Sequence, residues 1–245
     1  MQTKLSVNLN KVALLRNQRD LGYPSVVNMA RMIIDAGADG ITVHPRPDQR
    51  HTRSSDVQDL NSLLKTDFED KVEFNVEGYP TDNFLDLVSE VKPTQVTLVP
   101  DAPDQRTSDH GWDLSSDGKW LESIVAGLQA AGSRVSLFVD PDVDAVSRVS
   151  DIGAQRIELY TEPYASAFAK SECEQELARY SAAAKAAVER NLGVNAGHDL
   201  TVGNLPLFKR RVPMLAEVSI GHAITADALE VGFPAAVKAY LAALE

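Results

Sequence analysis

Short β-branched runs alternate with longer stretches of helical period along the whole chain, and that alternation leaves few folds open. Strand-like runs fall at residues 5–8, 40–44, 72–76, 95–99, 134–139, 156–160, 193–196 and 217–220. Amphipathic helical stretches follow at about 25–36, 55–64, 81–91, 119–131, 143–152, 172–190, 205–210 and 226–244. Several of these end on glycine just before the next strand, as in Ala36-Gly37, Ala131-Gly132 and Ile152-Gly153. Eight strands, each followed by a helix, predict an α/β fold closed as a (β/α)8 TIM barrel. An open doubly wound sheet is the alternative, but no Gly-x-Gly-x-x-Gly follows the first strand. The segments after the fourth strand (100–117) and the sixth (161–171) read as long loops, the first with the polarity of a closing lid.

Composition narrows the partners. The 245 residues suit a single barrel domain spanning 1–245. Lys and Arg number 24 against 35 Asp and Glu, a net charge of −11, so a polyphosphate backbone would be repelled and nucleic acid is not the expected partner. A small anionic substrate would need a local cluster of cations. The lone cysteine, Cys173, cannot form an internal disulfide and suits a reducing cytoplasm. The start at Met1-Gln2-Thr3-Lys4 runs straight into a strand with no apolar leader, and no apolar run reaches membrane-spanning length. The expectation is a cytoplasmic protein with no membrane partner.

In such a barrel the chemistry sits where the strands end. All five histidines, His44, His51, His110, His198 and His222, fall at or just after strand ends, which predicts a shared functional face. After the second strand, His44-Pro45-Arg46-Pro47-Asp48-Gln49-Arg50-His51 offers two arginines and two histidines on a stiffened turn, suited to clamping a phosphate. Glu77, beside Val76 and Tyr79, reads either as a desolvated general base or as a structural rim carboxylate. Glu158, on the sixth strand, reads either as a buried partner for a cation or as a second catalytic carboxylate. Gly197-His198 and Gly221-His222 place backbone N–H groups after strands seven and eight, where phosphate-handling barrels hold their anion. Asn8, Asn10 and Lys11, followed by Arg16 and Arg19, add polar and cationic groups after the first strand. These groups point to a substrate carrying one or two phosphates. No His-x-His or cysteine cluster offers a metal site. Trp120 and Phe138 read as core. Two rival readings are a Schiff-base aldolase working through Lys11 and a phosphate-ligand-binding barrel without catalysis.

The motifs Leu15-Arg16-Asn17, Gly37-Ala38-Asp39-Gly40-Ile41-Thr42-Val43-His44, Arg50-His51, Val194-Asn195-Ala196-Gly197-His198 and Ile220-Gly221-His222-Ala223 together resemble the pyridoxine 5′-phosphate synthase family of the vitamin B6 pathway, over essentially the whole chain. The resemblance implies a (β/α)8 barrel with an added N-terminal helical element, assembled as a homo-octamer (a tetramer of dimers) and needing no metal or organic cofactor. It implies condensation of two small phosphorylated substrates, 1-deoxy-D-xylulose 5-phosphate and 3-amino-2-oxopropyl phosphate, to pyridoxine 5′-phosphate, inorganic phosphate and water. Carried across by position, His44 and Glu77 match the general bases and His198 the proton donor. Asn8, Arg19 and the Gly221-His222 pair match contacts to the amino-ketone phosphate; Arg46, His51 and Thr107 match contacts to the pentulose phosphate. The chain departs from the better-known form in having Asn10-Lys11 for Asp-His, His198-Asp199 for His-Gly, and Tyr160-Thr161-Glu162 for His-Thr-Gly. Positions 10, 11 and 199 are therefore expected among the substrate contacts, with the Asp199 side chain turned away from any anion.

Overall fold

The computed structural model describes residues 2–69, 71–101, 105, 108–170 and 172–245. Eight parallel strands close into a barrel in chain order: β1 (Lys4–Asn8), β2 (Gly40–Val43), β3 (Glu73–Gly78), β4 (Gln95–Leu98), β5 (Arg134–Val139), β6 (Arg156–Leu159), β7 (Gly193–Ala196) and β8 (Leu215–Ile220). The helices are α1 (Asn10–Arg16), α2 (Val26–Asp35), α3 (Ser54–Asp67), α4 (Asp82–Val91), α5 (Gly118–Ala130), α6 (Val143–Ile152), α7 (Glu162–Ala169), α8 (Glu174–Glu189), α9 (Leu205–Arg211), α10 (His222–Val231) and α11 (Phe233–Ala243). The fold expected from the sequence is the fold observed. No helix among the described residues is long and apolar enough to cross a membrane.

Local chemistry accounts for the helix ends. Ser25, Thr81 and Asp142 cap α2, α4 and α6 by accepting backbone N–H bonds from Asn28, Phe84 and Ala145. The stretch 161–171 is not the long loop expected. It contains α7, which starts at Glu162-Pro163, a proline in the first turn behind an acidic residue that suits the helix dipole. The last helix, read as 226–244, is two helices: α10 begins earlier, at His222, and Gly232 at φ +82° breaks the run before Phe233. Between β1 and α2 stands α1, the N-terminal helical element that only the resemblance implied.

The strands divide their residues between two environments. Leu5, Val7, Ile41, Val43, Val96, Leu98, Leu137, Ile157, Val194 and Ile220 are fully buried members of the hydrophobic core. The alternate positions are polar and hydrogen-bond to one another inside the barrel. Ser6 Oγ lies 2.7 Å from Thr42 Oγ1, Thr97 donates to Asn75 at 2.9 Å, and Asn195 on β7 reaches Gln95 on β4 at 3.5 Å. A buried polar layer is stable only when its members find partners, and these do so by pairing with one another. Near the strand starts, Arg134 binds Glu73 and Gln95, and Arg156 binds Asn195 and Glu217. The opposite end, where the strands finish, carries the cavity.

Candidate active site

A cavity of about 840 Å³ opens at the carboxyl ends of the strands. Asn8, Asn10, Lys11, His44, Arg46, His51, Glu77, His198, Asp199, Gly221 and His222, all singled out from the sequence, line it. Two others do not join them. Arg19 is exposed in the connection between α1 and α2 and does not line the cavity. Thr107, with residues 102–104 and 106 of the expected lid, lies outside the described residues. Four of the five histidines line the cavity, while His110 is exposed and bonds Asp109 at 2.6 Å. Arg16 was expected to add a cation there. Instead it pairs with buried Asp56 of α3 and donates to the His51 carbonyl at 3.3 Å. Asn17 donates to the carbonyls of Arg50 and His51 at 3.0 and 2.8 Å, so Arg16-Asn17 braces the loop that carries the second-strand cations.

One wall is cationic. Lys11 comes from the first turn of α1, and Arg46, Arg50 and His51 come from the loop after β2. His51 accepts the Thr52 N–H through Nδ1 at 2.9 Å, which leaves its Nε2 as the N–H donor for an anion. Burial first, then the neighbouring Arg46, Lys11 and Arg50, press its pKa down to about 4, so it binds as a neutral donor. Arg46 is buried and already engaged, with Asp101 in an ion pair and with the Gln105 carbonyl at 2.9 Å. Ser108 steadies the same carboxylate at 2.8 Å. Asn10 spends its side-chain oxygen on the His44 N–H and the Thr52 hydroxyl, both at 2.9 Å, so its contribution is to hold the start of that loop.

The same cavity holds the titrating groups. Burial raises the Glu77 carboxyl well above its ordinary value, helped by the charges of Glu158, Asp101 and Glu217 and opposed by Arg46. Asn8 donates to Glu77 at 3.2 Å while its own oxygen accepts the Asn10 N–H at 2.9 Å. Glu158 is pushed up to about 7 by burial, against the pull of His198. One of its oxygens has no partner among the described residues. Burial and then Arg46, His51, Arg50 and His198 hold His44 well below its ordinary value. His198 goes the other way. Burial alone would lower it, but the hydrogen bond and charge of Asp199, with Glu158 and Asp101 beyond, raise it. Gly197, just before it, has no room for a side chain: a Cβ there would lie 1.9 Å from the Ser219 carbonyl.

Glu158, Glu162 and Phe138 line the cavity as well, outside the candidate set that the sequence supplies. Glu158 carries two readings in the sequence; its signal is an inward-facing position on a barrel strand. Glu162, in the first turn of α7, is hidden when 161–171 is read as loop. Phe138, read as core, is buried but lines the cavity, its ring tilted against Tyr160 at 5.8 Å. Trp120 is not core. It is 42% exposed and packs against Tyr79 and Trp112 at 5.9 Å.

A parallel barrel that faces a cation wall toward carboxyls and imidazoles of shifted pKa defines a class: (β/α)8 enzymes that handle phosphorylated small molecules by proton transfer. The fold recurs in Mycobacterium tuberculosis tryptophan synthase (TM-score 0.61, 13% identity, covering 100% of this chain and 94% of that one). It recurs also in Thermotoga maritima phosphoribosylanthranilate isomerase (TM-score 0.59, 14% identity, 99% and 98%). Residues 5–245 match the family described as pyridoxal phosphate biosynthesis protein PdxJ, and the chain belongs to that family. The pyridoxine 5′-phosphate synthase of Brucella anthropi is 55% identical over 245 residues, covering 100% of both chains. Those of Brucella abortus and Chelativorans sp. are 54% identical and cover 100% of this chain and 99% and 100% of theirs.

Proposed function

We infer that this chain condenses 1-deoxy-D-xylulose 5-phosphate with 3-amino-2-oxopropyl phosphate, releasing pyridoxine 5′-phosphate, inorganic phosphate and water. The observation that carries the reading is the gathering of Lys11, Arg46, Arg50 and His51 with buried Glu77 and Glu158 and half-buried His198 in one cavity. The cations meet phosphate; the carboxyls and imidazoles move protons.

The amine of one substrate attacks the ketone of the other. Glu77 takes protons as the carbinolamine dehydrates, a role suited to a carboxyl raised by burial. His198, raised by its carboxylate neighbours, donates to departing oxygens. Glu158, close to His198 in charge, restrains that proton and balances the cation formed when the imine is protonated. His44 is neutral and accepts a proton during ring closure; burial lowers its proton affinity most, and a phosphate dianion beside Arg46 and His51 would offset the cationic field that lowers it further. Arg46 and His51 hold the pentulose phosphate. The backbone at Gly221, with His222 and Asn8, holds the amino-ketone phosphate. No step calls for a metal or organic cofactor, so dialysis against a chelator should leave turnover unchanged.

The reading extends to a single working domain, 1–245, assembled as a homo-octamer in the cytoplasm. Exposed Leu21, Tyr23, Leu229 and Val231 supply apolar surface for subunit contact. Light scattering at the mass of one chain would remove that assembly. The decisive assay is phosphate release from the two named substrates without added metal. Stoichiometric phosphate and pyridoxine 5′-phosphate are expected, and Glu77→Gln should lower kcat about 10²–10⁴-fold. Binding without phosphate release would leave only a ligand-binding barrel.

A further inference from the structure

Residues 197–200 form a tight turn closed by the Leu200 N–H, which donates to the Gly197 carbonyl at 2.7 Å. His198 and Asp199 are its two central residues, and Asp199 Oδ2 stands 2.9 Å from His198 Nδ1. The backbone of Asp199 is anchored on both sides. Its N–H donates to Thr161 Oγ1 at 3.2 Å, and that hydroxyl donates onward to the Gly197 carbonyl at 3.2 Å. Its carbonyl accepts from Asn204 Nδ2 at 3.2 Å. Thr161 and Asn204 are themselves buried, so these anchors are rigid. The carboxylate is thereby held beside one imidazole nitrogen, at the wall of the cavity that both residues line. A glycine, which the better-known form of the family has here, could offer no acceptor.

We propose that Asp199 is a positioning residue for His198: its carboxylate accepts the Nδ1 hydrogen, fixes the tautomer and aim of the ring, and makes Nε2 the nitrogen that delivers the proton. A carboxylate can only accept, so the hydrogen must belong to Nδ1. The pairing follows the logic of an acid that orients a histidine for proton transfer. The charges that face His198 come from separate elements: Asp199 on its own turn, Glu158 on β6 and Asp101 after β4 favour the imidazolium, while desolvation opposes it. This assignment replaces the substrate contact expected for Asp199. It rests on the acid role given to His198 above.

Two measurements separate the proposal from that role. The first is ¹⁵N NMR of the histidine rings in the intact protein, with the His198 signals assigned by their loss in His198→Gln. In the wild type the Nδ1 should carry hydrogen across the titration, and Asp199→Asn should move the His198 midpoint to lower pH and mix the tautomers. The second is the pH profile of kcat. Asp199→Asn should lower kcat by about tenfold or more, move the alkaline limb to lower pH and leave KM for both substrates within about threefold; Asp199→Glu should recover part of the loss. Unchanged His198 resonances in Asp199→Asn, or a rise in KM with the alkaline limb fixed, would overturn the proposal. If the wild type fails to turn over the two substrates, the functional reading falls, and the NMR titration still decides whether Asp199 controls the ring.

Discussion

Arg46 shows how a single side chain can be ready and yet occupied. Its guanidinium is buried against Asp101, so an arriving phosphate must share or displace a carboxylate already in place. Asp101→Asn keeps an acceptor for Ser108 and removes the competing charge, so inorganic phosphate should inhibit at severalfold lower concentration; unchanged inhibition would mean that the phosphate does not reach Arg46. Glu217 offers a test of linkage at the other end of the barrel. Burial, then the charge and hydrogen bond of Glu73, raise its carboxyl to about 8, against the pull of Arg156 and Arg134. A carboxyl whose pKa is higher folded than unfolded holds its proton more tightly in the folded state. Its contribution is therefore fully present below the unfolded value near 4.5 and is lost as pH rises toward 8. Glu217→Gln preserves the donor toward Glu73 and removes the titration, so its melting temperature should exceed the wild type by more at about pH 8.5 than at about pH 5.5. A pH-independent difference would contradict the shared-proton account.

At the scale of elements, α1 matters more for its bracing than for its charge. Arg16 and Asn17, at its end, tie the loop after β2 to α3 through Asp56 and the loop carbonyls. Arg16→Met would leave Asp56 buried and unpaired, at a cost of about 3–5 kcal/mol in denaturant unfolding, and Asp56→Asn in the same chain should restore part of it. A cost near zero would mean that the pair does not hold the loop. The turn after β7 is equally constrained. Gly197→Ala would drive a methyl into the Ser219 backbone, which cannot yield as a flexible side-chain tip would. Loss of thermal stability together with kcat is the expected result, because His198 rides on that turn.

Over the whole molecule, the −11 net charge and the cationic wall work at different ranges. The global field disfavours anions, and only a ligand that reaches Lys11, Arg50 and His51 gains from them. Inorganic phosphate should accordingly stabilise the folded chain by mass action, about 2.7 kcal/mol at a hundredfold excess over its Kd. A matched rise in chloride should not reproduce that effect. Lys11→Ala with Arg50→Ala should remove most of the shift in melting temperature, and an undiminished shift would place the anion elsewhere.

The periodic alternation of strand and helix and the glycine stops were legible in the chain, because each depends on residues a few positions apart. The identity of the cavity face was legible too, since a barrel directs the residue after every strand to the same end and the histidines gather there. The break at Gly232 was local but ambiguous, for helical period continues across it, and the helix within 161–171 was masked by Pro163, which marks a loop as readily as a first helical turn. What the chain order could not show was pairing between distant elements. Arg16 belongs to Asp56 rather than to substrate, Arg46 is held by Asp101, Glu158 faces His198, and Trp120 lies at the surface against Tyr79. Those outcomes were decided by tertiary structure, because burial and the charges brought close across the barrel set both the partner and the proton affinity of each group.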